Sequence, residues 1–474
     1  MTFQSLEYLI FLPVVFFLYW TVGRRSRTFQ NGLIVAVSLV FYGWWDWRFL
    51  GLLLLTAFST FFAGWWMGKT YNQKKCKAIL VGTTALNLSV LFFFKYYNFF
   101  VQAFIDAFSL FGTNINISTL KILLPVGISF YTFTALSYSI DVYQRKVRPT
   151  RDLLAYLAYV TFFPSILSGP ISRAQKQLPQ YFERRDFDYD KAVNACNLML
   201  MGGVMKLCLA DRLGIYVDTV YTNITQHNGT TLLFTAILYT IQIYADFAGY
   251  SLMAIGSGKL FGIELQTNFI RPYFSKTVTE FWRRWHVSLT TWFRDYIYFP
   301  LGGNRCSKAR WIFNTMIVFT VSGLWHGAAY TFLIWGALHG ICMVIERLVY
   351  GDKIKTISNN FSLINVFRIS LTFTIVTFAW IFFRVSDFGD VMTIFRKILT
   401  EPGSLFIDAD TLAYAFLFTI LILIVDFMEE YFSGKVTFMN SKYTIVRWIS
   451  YVVMVVMVLL FGVLDGGSFI YFQF

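Results

Sequence analysis

Long apolar runs decide what this chain can fold into. The clearest are Ile10–Trp20, Leu33–Phe41, Leu50–Met67, Ala78–Phe94, Leu153–Leu167, Thr231–Tyr244, Trp311–Val321, Thr372–Phe383, Tyr414–Val425 and Val452–Val463. A helix rising about 1.5 Å per residue needs roughly 20 residues to cross a bilayer, with about 17 as the lower limit. Several runs reach that length only with their flanks, so tilted or broken helices are expected among about eleven crossings, give or take two. Composition agrees: 57% of the 474 residues are hydrophobic and 14% charged, where a soluble domain carries about 25% charge. The expected fold class is an all-α polytopic membrane protein with re-entrant and amphipathic segments.

Aromatics make up 20% of the residues, including 53 Phe, 28 Tyr and 14 Trp. Trp and Tyr favour the membrane–water interface. The net charge of +14 suits nucleic acid in principle, but the cations cluster in short loops between apolar runs. Arg24, Arg25 and Arg27 form one cluster, Lys69, Lys74, Lys75 and Lys77 a second, and Arg145, Lys146, Arg148 and Arg151 a third. That pattern is the positive-inside rule at work, and no nucleic-acid partner is expected. The first two clusters share a side if the chain leaves through Leu33–Phe41 and returns through Leu50–Met67, with the N-terminus outside. The third joins them only if one segment between residues 95 and 140 is short or re-entrant. The N-terminus lacks a basic leader and a small-residue cleavage site, so Ile10–Trp20 reads as a retained span. Five cysteines without CxxC spacing suggest neither a disulfide framework nor a metal site. Asn-x-Ser/Thr triplets at Asn87, Asn116, Asn223 and Asn228 are too short a pattern to weigh.

No repeat or linker divides the chain, so residues 1–474 read as one membrane domain. Residues 1–120 are expected to be peripheral helices, 121–345 a catalytic core and 346–474 C-terminal helices. In the core the apolar runs are broken by Pro125, Gly127, Pro164, Gly169, Pro170, Asp246, Gly249, Pro272, Pro300, Gly302 and Gly303. Broken backbone at membrane depth survives only against protein or a water-filled cavity. Arg173–Lys191 and Gly351–Asn360 are the main polar loops.

The most unusual stretch is Glu280–Gly303, EFWRRWHVSLTTWFRDYIYFPLGG. As one continuous helix it carries Trp282, Trp285, Leu289, Phe293 and Tyr296 on one face. Arg283, His286, Thr290 and Arg294 fall on an adjacent stripe, within about 80° of one another. Two readings stand: an interfacial anchor in which the histidine is incidental, or part of a site, since an anchor gains nothing from His286. The second histidine of interest, His326, lies in Ser322-Gly323-Leu324-Trp325-His326-Gly327 between the apolar runs Ile312–Val321 and Ala328–Ala337. Intramembrane ionisable groups are costly, so His326 either bonds a neighbouring helix or acts as a neutral base toward a hydroxyl. His339 falls about 220° further round a continuous helix and is expected to face elsewhere. His227, in a polar loop, is expected to be solvated. No HExxH, GxSxG or P-loop motif is present.

Several stretches together resemble the bacterial branch of the membrane-bound O-acyltransferase family that includes the alginate O-acetylation and teichoic-acid D-alanylation membrane subunits. They are LPVGISFYTF (124–133), SYSIDVYQRK (137–146), FFPSILSGPISR (162–173), YADFAGYSLMAIGSGKLFGIEL (244–265), NFIRPYF (268–274), EFWRRWHVSLTTWFRDYIYFPLGGNR (280–305), LWHG (324–327) and FIYFQF (469–474). The GGNR stretch and the FIYFQF ending favour the alginate-type subgroup. The resemblance implies a ring of helices around a central funnel, with the family's histidine at His326 and a second active-site position at His286. It also implies an acyl thioester donor (acetyl-CoA or an acyl-carrier protein), an exported transferase or carrier as partner, surrounding membrane lipid, and a place in the inner, cytoplasmic membrane. Within that scheme His326 is the expected base and His286 orients the acceptor or donates to the oxyanion. Arg283, Arg284 and Arg294 suit donor phosphates, or alternatively lipid headgroups, with Trp285 and Trp325 beside them. Asp246 and Asp295 are expected to pair with these arginines, and no metal or bound cofactor is expected. The rival readings are a transporter or flippase, which also shows polar residues in broken helices, and D-alanyl-type transfer to a cell-wall polymer.

Overall fold

The computed structural model describes residues 1–111, 119–351, 360–432, 438–439, 441–463 and 469–472, without the side chains of Arg25, Leu110 and Phe472. Asn116, most of the Gly351–Asn360 loop, and Gln473 and Phe474 of the terminal motif lie outside the described residues. All the regular structure among the described residues is helical. Among the described residues eight helical stretches are long and apolar enough to cross a membrane, Arg27–Lys69 folding as two helices, and Leu6–Thr21 is a shorter apolar helix. The protein is an all-α, multi-pass membrane protein. It forms two compact units, Met1–Ala195 with Ser257–Gln266, and Cys196–Gly256 with Thr267–Phe474.

The first unit begins with α1 (Leu6–Thr21), α2 (Arg27–Asp46), α3 (Leu50–Lys69) and α4 (Gln73–Leu110). It continues through α5 (Ile128–Tyr143), α6 (Leu153–Thr161) and the short α7 (Phe163–Ile166) and α8 (Ala174–Gln177), and then α9 (Tyr189–Gly203) begins. Polar caps punctuate the apolar runs: Ser26 accepts from Phe29 N, Asn72 from Lys74 N and Lys75 N, and Asp152 from Ala155 N. These caps satisfy amides that a helix start leaves open. The three basic clusters gather at one end of the unit. Arg27 pairs with Asp152 at 3.0 Å, and Gly68 abuts Pro149 so closely that an added Cβ would lie 2.5 Å from its Cγ. One departing helix (α4) and one returning helix (α5) account for this, because residues 119–127 are non-helical.

The second unit contains a π-helical turn, Val204–Ala210, α10 (Asp211–Thr222) and α11 (Gly229–Leu260, to Gly256). After it come α12 (Val278–Arg284), α13 (Val287–Phe293), α14 (Lys308–His326) and α15 (Tyr330–Tyr350). The remainder is α16 (Leu363–Arg384), α17 (Phe388–Thr400), α18 (Ala409–Phe432) and α19 (Thr444–Phe461). Small residues let α14 and α15 touch backbone to backbone. A Cβ at Gly323 would stand 2.2 Å from Phe332 O, and one at Gly336 2.2 Å from Phe319 O. Between apolar helices in lipid, such close approach is a main source of attraction.

That contact makes a stability prediction. Gly323→Ala forces α14 away from α15 and is expected to destabilise the purified protein by about 1–3 kcal/mol, the usual range for overpacking. Gly32→Ala, at a helical glycine with open space around it, should leave the detergent melting temperature unchanged or slightly raised. Equal melting of the two variants would show that the Gly323 contact carries no stability.

Candidate functional site

The stretch Glu280–Gly303 is not one continuous helix. α12 ends at Arg284, Trp285 is extended (φ −100°, ψ 131°), and His286 sits in the left-handed region (φ 43°, ψ 52°) before α13 starts. For a residue with a Cβ that conformation costs about 1–2 kcal/mol, and the neighbouring chain holds it. Ile270 N donates to Arg284 O (2.9 Å) and Val287 N to Asn268 O (2.9 Å), so residues 268–270 run beside the corner like a short ladder. The Asn268 side chain accepts from Ser288 N at 3.4 Å and donates to Ser251 Oγ at 3.1 Å. The expected stripe of Arg283, His286, Thr290 and Arg294 therefore does not exist: His286 turns into the unit while Arg283 and Arg294 stay exposed.

His326 is the last residue of α14 and is 2% exposed; His286 is fully buried. Their ring centroids lie 6.3 Å apart. Trp325 packs on both, 4.9 Å from His326 and 6.0 Å from His286. Trp335, Phe383 and Phe247 complete an aromatic cage, at 5.1 and 5.3 Å from His326 and 4.7 Å from His286 respectively. Burial holds the His286 imidazole far below its ordinary range, at about 3, so at neutral pH the ring is uncharged.

Tyr471 enters the same cage, 5.6 Å from the His326 ring and 6.3 Å from that of His286. Its hydroxyl is buried and has no hydrogen-bond partner among the described residues. The residue before it, Ile470, donates its backbone N–H to Asp246 Oδ2 at 2.9 Å. Asp246 does not pair with an arginine as expected. It forms a buried ion pair with Lys206 (2.5 Å), which also bonds Asp211 (2.7 Å) from the π-helical turn. Sequence reading assigned Tyr471 no role and passed over Lys206, although a lysine within the apolar run VMKLCLA was a signal in itself.

The three arginines separate. Arg284 is bound by Glu280 (2.6 Å) and Glu430 (2.9 Å), and Glu430 also takes Arg271 (2.7 Å), so Arg284 braces the backbone and is not available to a phosphate. Arg283 and Arg294 line a cavity of about 300 Å³ together with Arg347, which sequence reading missed. Asp295 pairs with Arg294 at 2.7 Å, as expected. Trp282, Phe319 and Ser322 also line it. Trp282 in turn packs on Trp335 at 5.6 Å, and Ser322 lies one helical turn before His326, so cavity and cage share a wall. Trp285 is buried against Phe281, Phe269 and Trp380.

His339 does not face elsewhere. The helix breaks after His326, and α15 brings the His339 ring to 5.0 Å from Trp335 and 5.1 Å from Trp282, behind the cage. His227 is half-buried rather than solvated, with its ring 4.8 Å from that of Phe406.

The sequence model of the membrane-bound O-acyltransferase family matches residues 39–382. The chain belongs to that family. It is an O-acyltransferase and takes an acyl donor. Among curated relatives, a probable alginate O-acetylase, AlgI, of Pseudomonas aeruginosa is 38% identical over 389 residues, covering 82% of this chain and 72% of its own. A peptidoglycan O-acetyltransferase of Helicobacter pylori is 30% identical over 428 residues, covering 83% and 78%. A teichoic acid D-alanyltransferase of Bacillus subtilis is 28% identical over 276 residues, covering 56% and 69%.

Two predictions follow from this geometry. Lys206→Met leaves two carboxylates buried without their cation and is expected to cost about 3–5 kcal/mol, read as a large fall in melting temperature. Lys121→Met, at an exposed lysine, should be silent. For His286, the unfolded chain takes up a proton below about 6.5 while the folded ring stays neutral down to about 3. The unfolded state binds more protons across that window, so His286 makes stability fall as pH drops from 6.5 towards 3. Unfolding titrations should show a shallower slope there in His286→Gln, and an unchanged slope would refute the buried neutral ring.

Proposed function

We propose that the chain moves an acetyl group from a cytoplasmic thioester, acetyl-CoA, for O-acylation of a cell-surface or exported polysaccharide, working in the inner membrane with an extracytoplasmic transferase or carrier. The observation that carries this reading is the buried aromatic cage in which the rings of His326, His286 and Tyr471 meet. Relatives named for alginate and peptidoglycan O-acetylation support acetyl as the acyl group and a polysaccharide as its destination.

In this reading His326 is the base, a role that needs an uncharged imidazole close to a hydroxyl. Tyr471 supplies that hydroxyl. Its oxygen attacks the thioester carbonyl, its proton passes to the His326 imidazole, and the thiolate leaves and takes the proton. The resulting acyl-tyrosine ester then gives its acyl group to an acceptor hydroxyl, whose proton passes by way of His326 to the released Tyr471 oxygen. His286 donates a ring N–H to the developing oxyanion, and the surrounding aromatic rings exclude water that would hydrolyse the ester. The cavity lined by Arg283, Arg294 and Arg347 receives the phosphate-bearing arm of the donor, since guanidinium groups bind phosphate through paired N–H donors.

Surface-polysaccharide ester content in cells, and thioester consumption by the purified protein, test the scheme. His326→Ala is expected to lower acylation by about 10²–10⁴-fold, the usual contribution of a general base. Tyr471→Phe, which removes one oxygen, should lose activity comparably while keeping the wild-type melting temperature. If Tyr471→Phe acylates normally, transfer is direct and the relay falls. If His326→Ala does, the whole assignment falls.

A further inference from the structure

A second cavity, of about 160 Å³, lies within the first unit and is lined by Trp20, Arg185, Lys191, Lys259 and the acidic residues Asp186 and Asp188, among others. Arg185 is only 7% exposed, yet no carboxylate pairs with it among the described residues. Its Nη2 donates to Asn31 Oδ1 (2.6 Å), its Nε to Gln30 Oε1 (3.4 Å), and its guanidinium lies 5.8 and 5.6 Å from the centroids of Tyr19 and Tyr181. Nη1 is buried without any acceptor among the described residues. Lys259 likewise has a neutral partner, Asn194 Oδ1 at 2.9 Å. Of the two carboxylates, Asp186 is taken up by Arg184 at 2.7 Å, and Asp188 accepts the Lys191 N–H at the start of α9. The lining thus keeps a surplus of positive charge, held by neutral side chains that fix the guanidinium without neutralising it. A buried cation with that surplus lacks a counter-ion.

The position is also informative. Trp20 is in the last turn of α1, just before Arg24. Arg27 donates to Phe182 O at 3.2 Å, so the cavity lies at the end of the unit where the basic clusters gather. That end is the cytoplasmic headgroup level by the positive-inside rule, where anionic lipids concentrate. Exposed Phe182, Phe187 and Tyr189 flank it. The volume is below the roughly 300 Å³ of pockets that engulf a whole small molecule, so it suits a headgroup whose remainder stays outside.

We infer that this cavity binds a phosphate ester, with Arg185 as the buried anchor and Lys191 and Lys259 at the mouth. A lipid headgroup and a soluble phosphate carry the same chemistry, and the experiment separates them. The full-length protein in detergent is titrated with phosphatidylglycerol, phosphatidylcholine, inorganic phosphate or coenzyme A, reading melting temperature and bound adducts by native mass spectrometry. A saturable response to phosphatidylglycerol, weaker with zwitterionic phosphatidylcholine, is expected. The double variant Lys191→Gln/Lys259→Gln should weaken it by about tenfold or more, since charge-assisted hydrogen bonds to the anion are lost. Arg185→Gln should abolish it, and the lysine pair, less buried than Arg185, keeps the test decisive if that buried variant fails to fold. Lys74→Gln, in a basic cluster but outside the cavity, should bind like wild type. A response to inorganic phosphate or coenzyme A with the same mutational pattern supports the site and assigns a soluble source. No saturable ligand, or equal weakening in Lys74→Gln and the lysine pair, overturns the proposal.

Discussion

The carboxylate of Asp246 joins two things that the cage needs. One oxygen is paired with Lys206 and the other receives the Ile470 N–H, so a single buried group ties the π-helical turn to the segment carrying Tyr471. In an apolar surround an isolated carboxylate would be protonated or driven out. The Lys206 ammonium, shared with Asp211, removes that penalty. The tyrosine reaches the histidines on a segment packed against Phe247 and Tyr250 and anchored by a hydrogen bond to an ion-paired carboxylate, a stronger bond than one between neutral groups. π-Helical turns concentrate at functional sites, and here the turn supplies the lysine that pairs with a buried aspartate.

The second constraint is the corner at His286. A continuous amphipathic helix would have set this ring beside Arg283 and Arg294, in contact with cations and water. Breaking the helix turns the imidazole inward and leaves the arginines outside, so one short sequence serves two environments. Residues 268–270 provide the backbone partners that the break would otherwise leave unmet, as buried amides require. Arg284 and Arg271, both held by Glu430, brace the two sides of that ladder.

Much of this was legible in the residues, and what was not has a physical cause. The apolar runs and basic clusters gave the helices and the shared end of the three loops, because hydropathy and charge are local properties. The two histidines stood out because an ionisable ring in an apolar run needs a reason. The corner at Trp285–His286 was not legible: neither Pro nor Gly marks it, and its cause is a backbone ladder to a segment some 16 residues upstream. The same holds for His339, whose direction depends on a break after His326 that the helical count could not include. Tyr471 was given no role, only a place in the quoted FIYFQF ending, since the aspartate that anchors its segment is 224 residues away from Ile470.

The distribution of arginines follows from the same division. A guanidinium bound by two carboxylates, as Arg284 is, has its donors occupied and its charge offset, so it contributes rigidity and no anion affinity. Arg283, Arg294 and Arg347 line a cavity, with Asp295 paired to Arg294, and cations lining a cleft draw anions in from solution. Adjacent in sequence, Arg283 and Arg284 thus end in different roles because α12 stops between the acidic end of α18 and the cavity. The residue type alone could not have separated them; the position of Glu430 does.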